Sequence, residues 1–217
     1  MKQQILMIDD HPSQIEGYKI ILEYNKSGHE IVVTTAYNCE SAHNIIVSKE
    51  RFDMIFIDRS LPPYPEKDIY SGEDLAVLAK KYIPKAKIVM LTSHPEAFLL
   101  YNIVKKIRPD GLLVKSDFTA DELLNAFEIL LKGEIYYSET VKESIKELLS
   151  TEDYLDSYNR QIITLLSQGV KTKNIPEILN LSQSAVEKRK AYIKDYFLIE
   201  KGTDEDIVRE ARKRGFI

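Results

Sequence analysis

The chain has 217 residues, of which 44% are hydrophobic and 29% are charged, which is the composition of a folded globular protein rather than a disordered one. Its formal net charge of −4 argues against a protein that coats nucleic acid with its whole surface, and no apolar run is long enough to span a membrane. Cys39 is the only cysteine, which excludes an internal disulfide and a metal site built from cysteines. Residues 1–4 lack the features of a signal peptide, so we expect a cytoplasmic protein.

The first 132 residues alternate short apolar runs with amphipathic helical stretches. The predicted strands are residues 5–8, 30–36, 54–57, 87–91 and 112–114, and the predicted helices include residues 41–48, 73–82, 96–106 and 120–131. Continuous apolar runs are typical of strands that are buried on both faces of a parallel sheet. The pattern predicts an α/β fold, a doubly wound five-stranded parallel sheet of the flavodoxin-like order 2-1-3-4-5.

The chain is predicted to contain two domains. Residues 1–133 form the α/β domain, residues 134–153 a charged and partly helical linker, and residues 154–217 a small all-α domain. From residue 151 onward there are 12 basic and 11 acidic residues, a net of +1, whereas the first 150 residues hold 18 basic and 23 acidic residues, a net of −5. This difference fits an acidic regulatory domain joined to a small domain with a basic cluster, although chance asymmetry is an alternative.

Polar side chains follow four of the five predicted strands. Asp9 and Asp10 come directly after the first strand, Asp58 after the third, Thr92 after the fourth and Lys115 after the fifth. Because the carboxyl ends of parallel strands share one edge of the sheet, we expect a joint site there. Clustered carboxylates require a cation, and Mg²⁺ prefers such oxygen ligands. One carboxylate can act as a nucleophile that forms an aspartyl-phosphate, while the threonine hydroxyl and the lysine ammonium contact the phosphoryl oxygens.

The segments that carry these residues are ILMIDDHP, MIFIDRSLP, IVMLTSH and LLVKSD, and with them residues 1–132 resemble the receiver domain of two-component response regulators. The resemblance implies that Asp58 accepts a phosphoryl group from a sensor histidine kinase or a small phosphodonor. It also implies that Mg²⁺ is bound by Asp9, Asp10 and Asp58 together with the backbone carbonyl of Ser60. Such a protein is a regulator rather than a metabolic enzyme.

Two features depart from the family pattern. Leu112 stands three positions before Lys115, where the family often has an aromatic switch residue, so the route of switching stays open. The segment after Asp58 is several residues longer than the usual connection. We favour a tolerated surface insertion there over a partner or kinase contact through Tyr64 and Tyr70.

The C-terminal residues are predicted to be helical at 159–167, 173–179 and 183–197. Gly169 suits the left-handed position after the first of these helices, and Ser182 can cap the third. The third helix is expected to expose a cluster of basic side chains, namely Lys188, Arg189, Lys190 and Lys194. Two short helices followed by a basic third helix indicate a helix-turn-helix, whose third helix enters the major groove of DNA.

The run GVKTKNIPEILNLSQSAVEKRKAYI resembles the LuxR-type helix-turn-helix of NarL/FixJ-like regulators. By position, the resemblance implies that Lys188 and Arg189 contact DNA. It further implies double-stranded DNA as a partner, a homodimer when phosphorylated, and control of transcription as the output. Glu187 stands where lysine is usual, which leaves an alternative open, in which the C-terminal domain binds a protein partner rather than DNA.

Overall fold

The computed structural model describes residues 2–48, 50–116, 119–150, 155–197, 199 and 202–217. The chain divides into two compact units, of which the first comprises Met1–Pro95 with Asn102–Lys142 and the second Glu96–Tyr101 with Glu143–Ile217. Among the described residues, every helix is too short or too polar to cross a membrane.

The first unit contains a parallel sheet with helices between its strands. The strands are β1 (Lys2–Ile8), β2 (Glu30–Ala36), β3 (Met54–Asp58), β4 (Lys87–Thr92), β5 (Gly111–Val114) and β6 (Tyr136–Tyr137). The helices that begin within residues 1–142 are α1 (Pro12–Glu23), α2 (Cys39–Val47), α3 (Gly72–Tyr82), α4 (Ala97–Ile107), α5 (Ala120–Leu131) and α6 (Glu139–Ser150). The strand order is β2-β1-β3-β4-β5-β6, and every neighbouring pair is parallel. The predicted doubly wound α/β fold is therefore confirmed.

Local sequence explains where these elements lie. All residues of β3 and β5 are buried, as expected for apolar strands that are covered on both faces. The Asn38 side chain accepts a hydrogen bond from the backbone N–H of Ser41 and so begins α2. Ser71 and Asp74 form a reciprocal capping box at the start of α3. These caps fix the helix starts that follow β2 and β3.

The sheet has six strands rather than the predicted five. Tyr136 and Tyr137 pair with Gly111 and Leu112 along the edge of β5. The Ser138 backbone N–H then donates to the Leu112 carbonyl at 3.0 Å. A two-residue strand shows no hydrophobic period, so the sequence could not predict it. The predicted linker at 134–153 consequently begins inside the first unit, and its residues 151–153 lie outside the described part of the chain.

The C-terminal part of the second unit is a small bundle. It contains α7 (Ser157–Ser167), a 3-10 turn (Thr172–Asn174), α8 (Ile175–Leu179), α9 (Gln183–Tyr196) and α10 (Asp204–Lys213). The Ser182 side chain accepts a hydrogen bond from the Ala185 N–H, and Gly169 has a positive φ of 79°, as the sequence predicts. The core is formed by apolar side chains from all four helices, which include Ile162, Ile163, Leu166, Ile175, Val186, Ile193, Phe197, Ile207 and Ala211.

Candidate functional site

The carboxyl edge of the sheet brings together the side chains that follow β1, β3 and β5. The Lys115 ammonium lies 2.7 Å from Asp9 Oδ2 and 2.8 Å from Asp58 Oδ1. Parallel pairing of β1 with β3 places the two aspartates on neighbouring strands. Thr92 ends β4, which lies between β3 and β5. The edge therefore holds a carboxylate, an ammonium and a hydroxyl in the combination that phosphoryl transfer to a carboxylate requires.

These groups are almost fully removed from water. Asp9, Asp58 and Thr92 expose 2%, 4% and 1% of their surface. Burial raises the pKa of Asp58, although the hydrogen bond and the charge of Lys115 act against this shift. For Lys115, burial alone would lower the pKa, but hydrogen bonds to Asp58 and Asp9 outweigh burial and raise it. Lys115 therefore stays a cation beside its carboxylate partners.

Backbone groups orient the same side chains. The Ser60 N–H donates to Asp58 Oδ2 at 3.2 Å, and the His94 N–H donates to Thr92 Oγ1 at 3.0 Å. The Lys115 N–H donates to the Thr92 carbonyl at 2.7 Å, which ties the end of β5 to the end of β4. Because the Thr92 oxygen already accepts from the backbone, its hydroxyl proton can point toward an incoming oxygen.

The residues after β1 fit a divalent cation. Ligand atoms of Asp9, Asp10 and His11 lie within 4.8 Å of one another. Asp10 Oδ1 is buried and accepts no hydrogen bond, and His11 Nδ1 lies 2.8 Å from it as an ion-pair neighbour when the imidazole is protonated. A buried carboxylate oxygen without a hydrogen bond suits a hard cation. His11 is a neighbour of this cluster that the sequence argument missed, although it stands directly after the two aspartates.

Gly72 is a second residue that the sequence argument missed. It begins α3, and its N–H donates to the Arg59 carbonyl at 2.9 Å. A Cβ placed on Gly72 would overlap the backbone carbonyl oxygen of Asp58. The approach of α3 to Asp58 therefore requires glycine. The only signal of this role in the sequence was a glycine directly before the helix predicted at residues 73–82.

The long segment after Asp58 is structured. Tyr64 and Ile69 exchange backbone hydrogen bonds of 2.7 and 3.2 Å around a 3-10 turn at Pro65–Lys67. The Tyr64 ring packs edge-on against His43 at a centroid distance of 5.6 Å, whereas Tyr70 is 59% exposed. Tyr64 thus anchors the loop, and a partner contact through Tyr70 stays a hypothesis.

Leu112 is fully buried between two neighbouring strands. It pairs with Met90 of β4 on one side and with Tyr137 of β6 on the other. In receiver domains this position is often aromatic, whereas here it holds Leu112, which belongs to the hydrophobic core. Tyr137 of β6, whose hydroxyl donates to the Pro109 carbonyl at 3.4 Å, is the aromatic residue beside it in the sheet.

The four basic residues predicted to contact DNA lie in different environments on α9. Lys188 is exposed. Arg189 Nη1 lies 2.5 Å from Asp156 Oδ2 and 3.1 Å from Asn159 Oδ1, both at the start of α7. The prediction that Lys190 is exposed is wrong, because this residue is buried and lies 2.7 Å from Asp204 Oδ1 and 2.9 Å from Thr172 Oγ1. Lys194 Nζ donates to the Gly202 carbonyl at 2.6 Å. The DNA contacts of these residues stay predictions.

Known proteins are similar to this chain over most of its length. The chain is 25% identical to the transcriptional regulatory protein MctR of Rhizobium johnstonii, across 100% of this chain and 96% of that protein. It is 28% identical to the nitrate/nitrite response regulator protein NarL of Escherichia coli K12, across 84% and 83% of the two chains. A solved structure is also similar, that of RcsB from Salmonella enterica serovar Typhimurium bound to a promoter in the presence of the phosphomimetic BeF3⁻. It aligns with this chain with a TM-score of 0.67 and 19% identity, over 96% of this chain and 97% of that one.

The match to a family model is more decisive than these pairwise similarities. Residues 5–128 match the model of the response regulator receiver domain, and this range covers more than half of the chain and all the residues gathered at the carboxyl edge of the sheet. The chain therefore belongs to the response regulator receiver family.

Proposed function

We propose that this response regulator is phosphorylated on Asp58 and that phosphorylation controls DNA binding by its second unit. The observation that carries the proposal is the buried Asp58 carboxylate, which lies 2.8 Å from Lys115 at the end of β3. As in other receivers, the phosphodonor is a sensor histidine kinase or a small acyl phosphate. The proposed regulator works in the cytoplasm.

Phosphoryl transfer would use the side chains in distinct ways. An oxygen of the Asp58 carboxylate attacks phosphorus, the bond from phosphorus to the donor breaks, and the leaving group keeps the electron pair of that bond, as a carboxylate from an acyl phosphate or as the imidazole of the kinase histidine. Lys115 pairs with the charge that the phosphoryl group brings, and Thr92 donates its hydroxyl proton to a phosphoryl oxygen. Mg²⁺, held by Asp9, Asp10, Asp58 and the Ser60 carbonyl, would neutralise phosphoryl oxygens during transfer.

The output would then depend on DNA. The names of MctR and NarL describe a transcriptional regulator and a nitrate/nitrite response regulator, and RcsB was determined bound to a promoter. In our proposal α8 and α9 form the helix-turn-helix, α9 lies in the major groove, and phosphorylation favours a homodimer that covers two half-sites. Thr92 moves toward the phosphoryl group, but with Leu112 in the core the coupling does not use an aromatic residue at that position.

Labelled acyl phosphate tests the phosphoacceptor. We expect wild-type protein with Mg²⁺ to retain one label, and Asp58→Asn to retain none. Asp68→Asn is the matched control, because Asp68 is exposed in the same loop and has a φ of 55°, a conformation that asparagine also tolerates. Equal labelling of wild type and Asp58→Asn would overturn the assignment.

A second candidate function is protein binding by the C-terminal bundle. It is favoured by the acidic residues Glu187 and Asp195 on the exposed side of α9. Binding of duplex DNA measured against salt concentration separates the two functions. A DNA-binding domain that neutralises several phosphates loses affinity steeply as salt rises. No binding at low salt, with or without phosphodonor, would favour the protein partner.

A further inference from the structure

The side chains of α9 fall into an inner and an outer set. The inner set holds Arg189, Lys190 and Lys194, whose cationic groups contact Asp156, Asp204 and the Gly202 carbonyl as described above. The Arg189 guanidinium also lies 5.0 Å from the centroid of the Tyr158 ring. These three cations join α9 to the rest of the second unit, and carboxylates compensate the charges of Arg189 and Lys190 there.

The outer set is exposed and carries little net charge. It consists of Gln183, Ser184, Glu187, Lys188, Ala191, Tyr192 and Asp195. Two carboxylates and one ammonium leave this face with a formal charge of −1. A face with this charge has little attraction for the phosphates of DNA. Its polar side chains instead suit a partner that offers both hydrogen-bond donors and acceptors. Base edges in the major groove offer both.

We propose that Glu187 is a specificity-determining residue that accepts a hydrogen bond from a cytosine amino group in the DNA half-site. The inference rests on the proposed DNA-binding function and adds the base that this position selects. Glu187 lies in the N-terminal half of α9, which is the part of a recognition helix that reaches base edges.

The chemistry of the carboxylate selects cytosine. Glutamate accepts hydrogen bonds and donates none, so it matches the N4 amino group of cytosine. Adenine also has an amino group, but its N7 acceptor lies beside it and repels a carboxylate. Guanine and thymine present acceptors at the corresponding edge and repel it too.

Neighbouring side chains support this role. Gln183 Nε2, one turn earlier on the same face, donates to Glu187 Oε1 at 3.3 Å, and Lys190 Nζ lies 3.7 Å from Glu187 Oε2, so both neighbours orient the carboxylate. Lys188 is the next residue and can reach guanine O6 and N7 in the same or the adjacent base pair. Glu187 and Lys188 together therefore favour a C·G pair in the half-site.

Positive charge for the phosphates is available outside α9. Lys171 and Lys173 are exposed around the 3-10 turn that precedes α8. The first helix of a helix-turn-helix crosses the DNA backbone, so these lysines lie on the part of the motif that contacts phosphates. Affinity and base selection are thus assigned to different segments.

Selection from a randomised DNA library tests the inference. The full-length protein, treated with acyl phosphate and Mg²⁺, is compared with Glu187→Gln and Glu187→Ala. We expect wild type to select cytosine at one position of each half-site, Glu187→Gln to select adenine there, and Glu187→Ala to lose the preference. Substituting the cytosine should weaken wild-type binding about tenfold and Glu187→Ala binding little.

Asp195→Asn is the matched control, because Asp195 is an exposed carboxylate near the other end of α9. It should select the same sequence as wild type. If all variants bind DNA and select one common sequence, the role of Glu187 is overturned while the DNA-binding function stands. If wild type binds no DNA at low salt, the DNA-binding function itself is overturned, and the role of Glu187 with it.

Discussion

Lys115 at the edge of the sheet and Lys190 on α9 make similar contacts in two regions that have different roles. Lys115 pairs with Asp9 and with Asp58, the carboxylate that we propose as the phosphoacceptor. Lys190 pairs with Asp204 and Thr172, and in this way joins α9 to α10 and to the turn before α8. An ion pair of this kind therefore indicates a reaction site only where other groups that the chemistry needs lie beside it, as they do at the carboxyl edge of the sheet. Elsewhere the same contact serves the fold.

The largest effect on stability is expected for Gly72, which lies beside the proposed phosphoacceptor Asp58. Gly72→Ala would force a methyl group into the carbonyl of Asp58, so α3 has to shift away from the end of β3. We expect the variant to lose about 3 kcal/mol of unfolding free energy, as over-packed sites do. Urea unfolding followed by circular dichroism measures this, and labelling with acyl phosphate should also fall.

Gly17→Ala is the control for this substitution. Gly17 lies within α1, where an added Cβ meets no atom within 4 Å. Alanine is the better helix former, so this variant should gain about 0.5 kcal/mol. Equal stability of the two variants would show that the sheet edge tolerates movement of α3.

The α9 side of the comparison is tested by Lys190→Ala and Lys188→Ala. Lys190→Ala leaves Asp204 without its cation and should destabilise the second unit by about 1.5 kcal/mol, a value reduced because Asp204 is partly exposed. Lys188→Ala should keep wild-type stability and weaken DNA binding. Thermal unfolding measures stability, and DNA titration measures binding. A loss of stability in Lys188→Ala, or unchanged stability in Lys190→Ala, would contradict the division of α9 into inner and outer sets.

The pH dependence of Lys190→Ala follows from Asp204. Burial alone would raise the pKa of Asp204, but hydrogen bonds from Lys190 and Thr172 outweigh burial and lower it. A lowered carboxyl pKa stabilises the folded state above the unfolded pKa, and this contribution is lost as pH falls through the folded pKa. The stability difference between wild type and Lys190→Ala should therefore shrink on acidification.

The two regions also differ in how far the sequence predicts them. Apolar runs mark the strands, so the residue after each strand could be placed at the carboxyl edge without a structure. A basic run on a helix does not reveal which cation faces a carboxylate distant in sequence. Arg189 and Asp156 are 33 residues apart, and Lys190 and Asp204 lie on two different helices. The β6 strand could not be predicted for a related reason. Tyr136 and Tyr137 form a strand because they pair with the edge of β5, which is distant in sequence.

Asp58→Asn provides a smaller test at the sheet edge. Because burial raises the pKa of Asp58, ionisation of this carboxyl costs the folded state stability as pH rises through the folded pKa. Without divalent cations, the variant should be more stable than wild type at neutral pH by about 1 kcal/mol. The gain should disappear at acidic pH, where wild-type Asp58 is protonated.

Unfolding in the presence of a chelator measures this gain, with Asp68→Asn as the exposed control. A wild type that is more stable than Asp58→Asn at neutral pH would mean that the Lys115 contact outweighs burial. In that case the carboxylate at the sheet edge would serve stability in the same way as Asp204 does beside α9.

The smallest effect is expected at the junction of β5 and β6. Ser138 is fully buried, and its Oγ accepts a hydrogen bond of 3.3 Å from the Val114 N–H, next to Lys115. Ser138→Ala removes this acceptor and should cost about 0.5 kcal/mol, since the bond is long. Ser48→Ala is the control. The Ser48 Oγ donates a hydrogen bond at an exposed helix end, so its removal should change stability less.

Phosphorylation of Ser138→Ala should be unaffected, because the Lys115 N–H keeps its bond to Thr92. A loss of labelling in Ser138→Ala would instead make β6 part of the phosphoryl site.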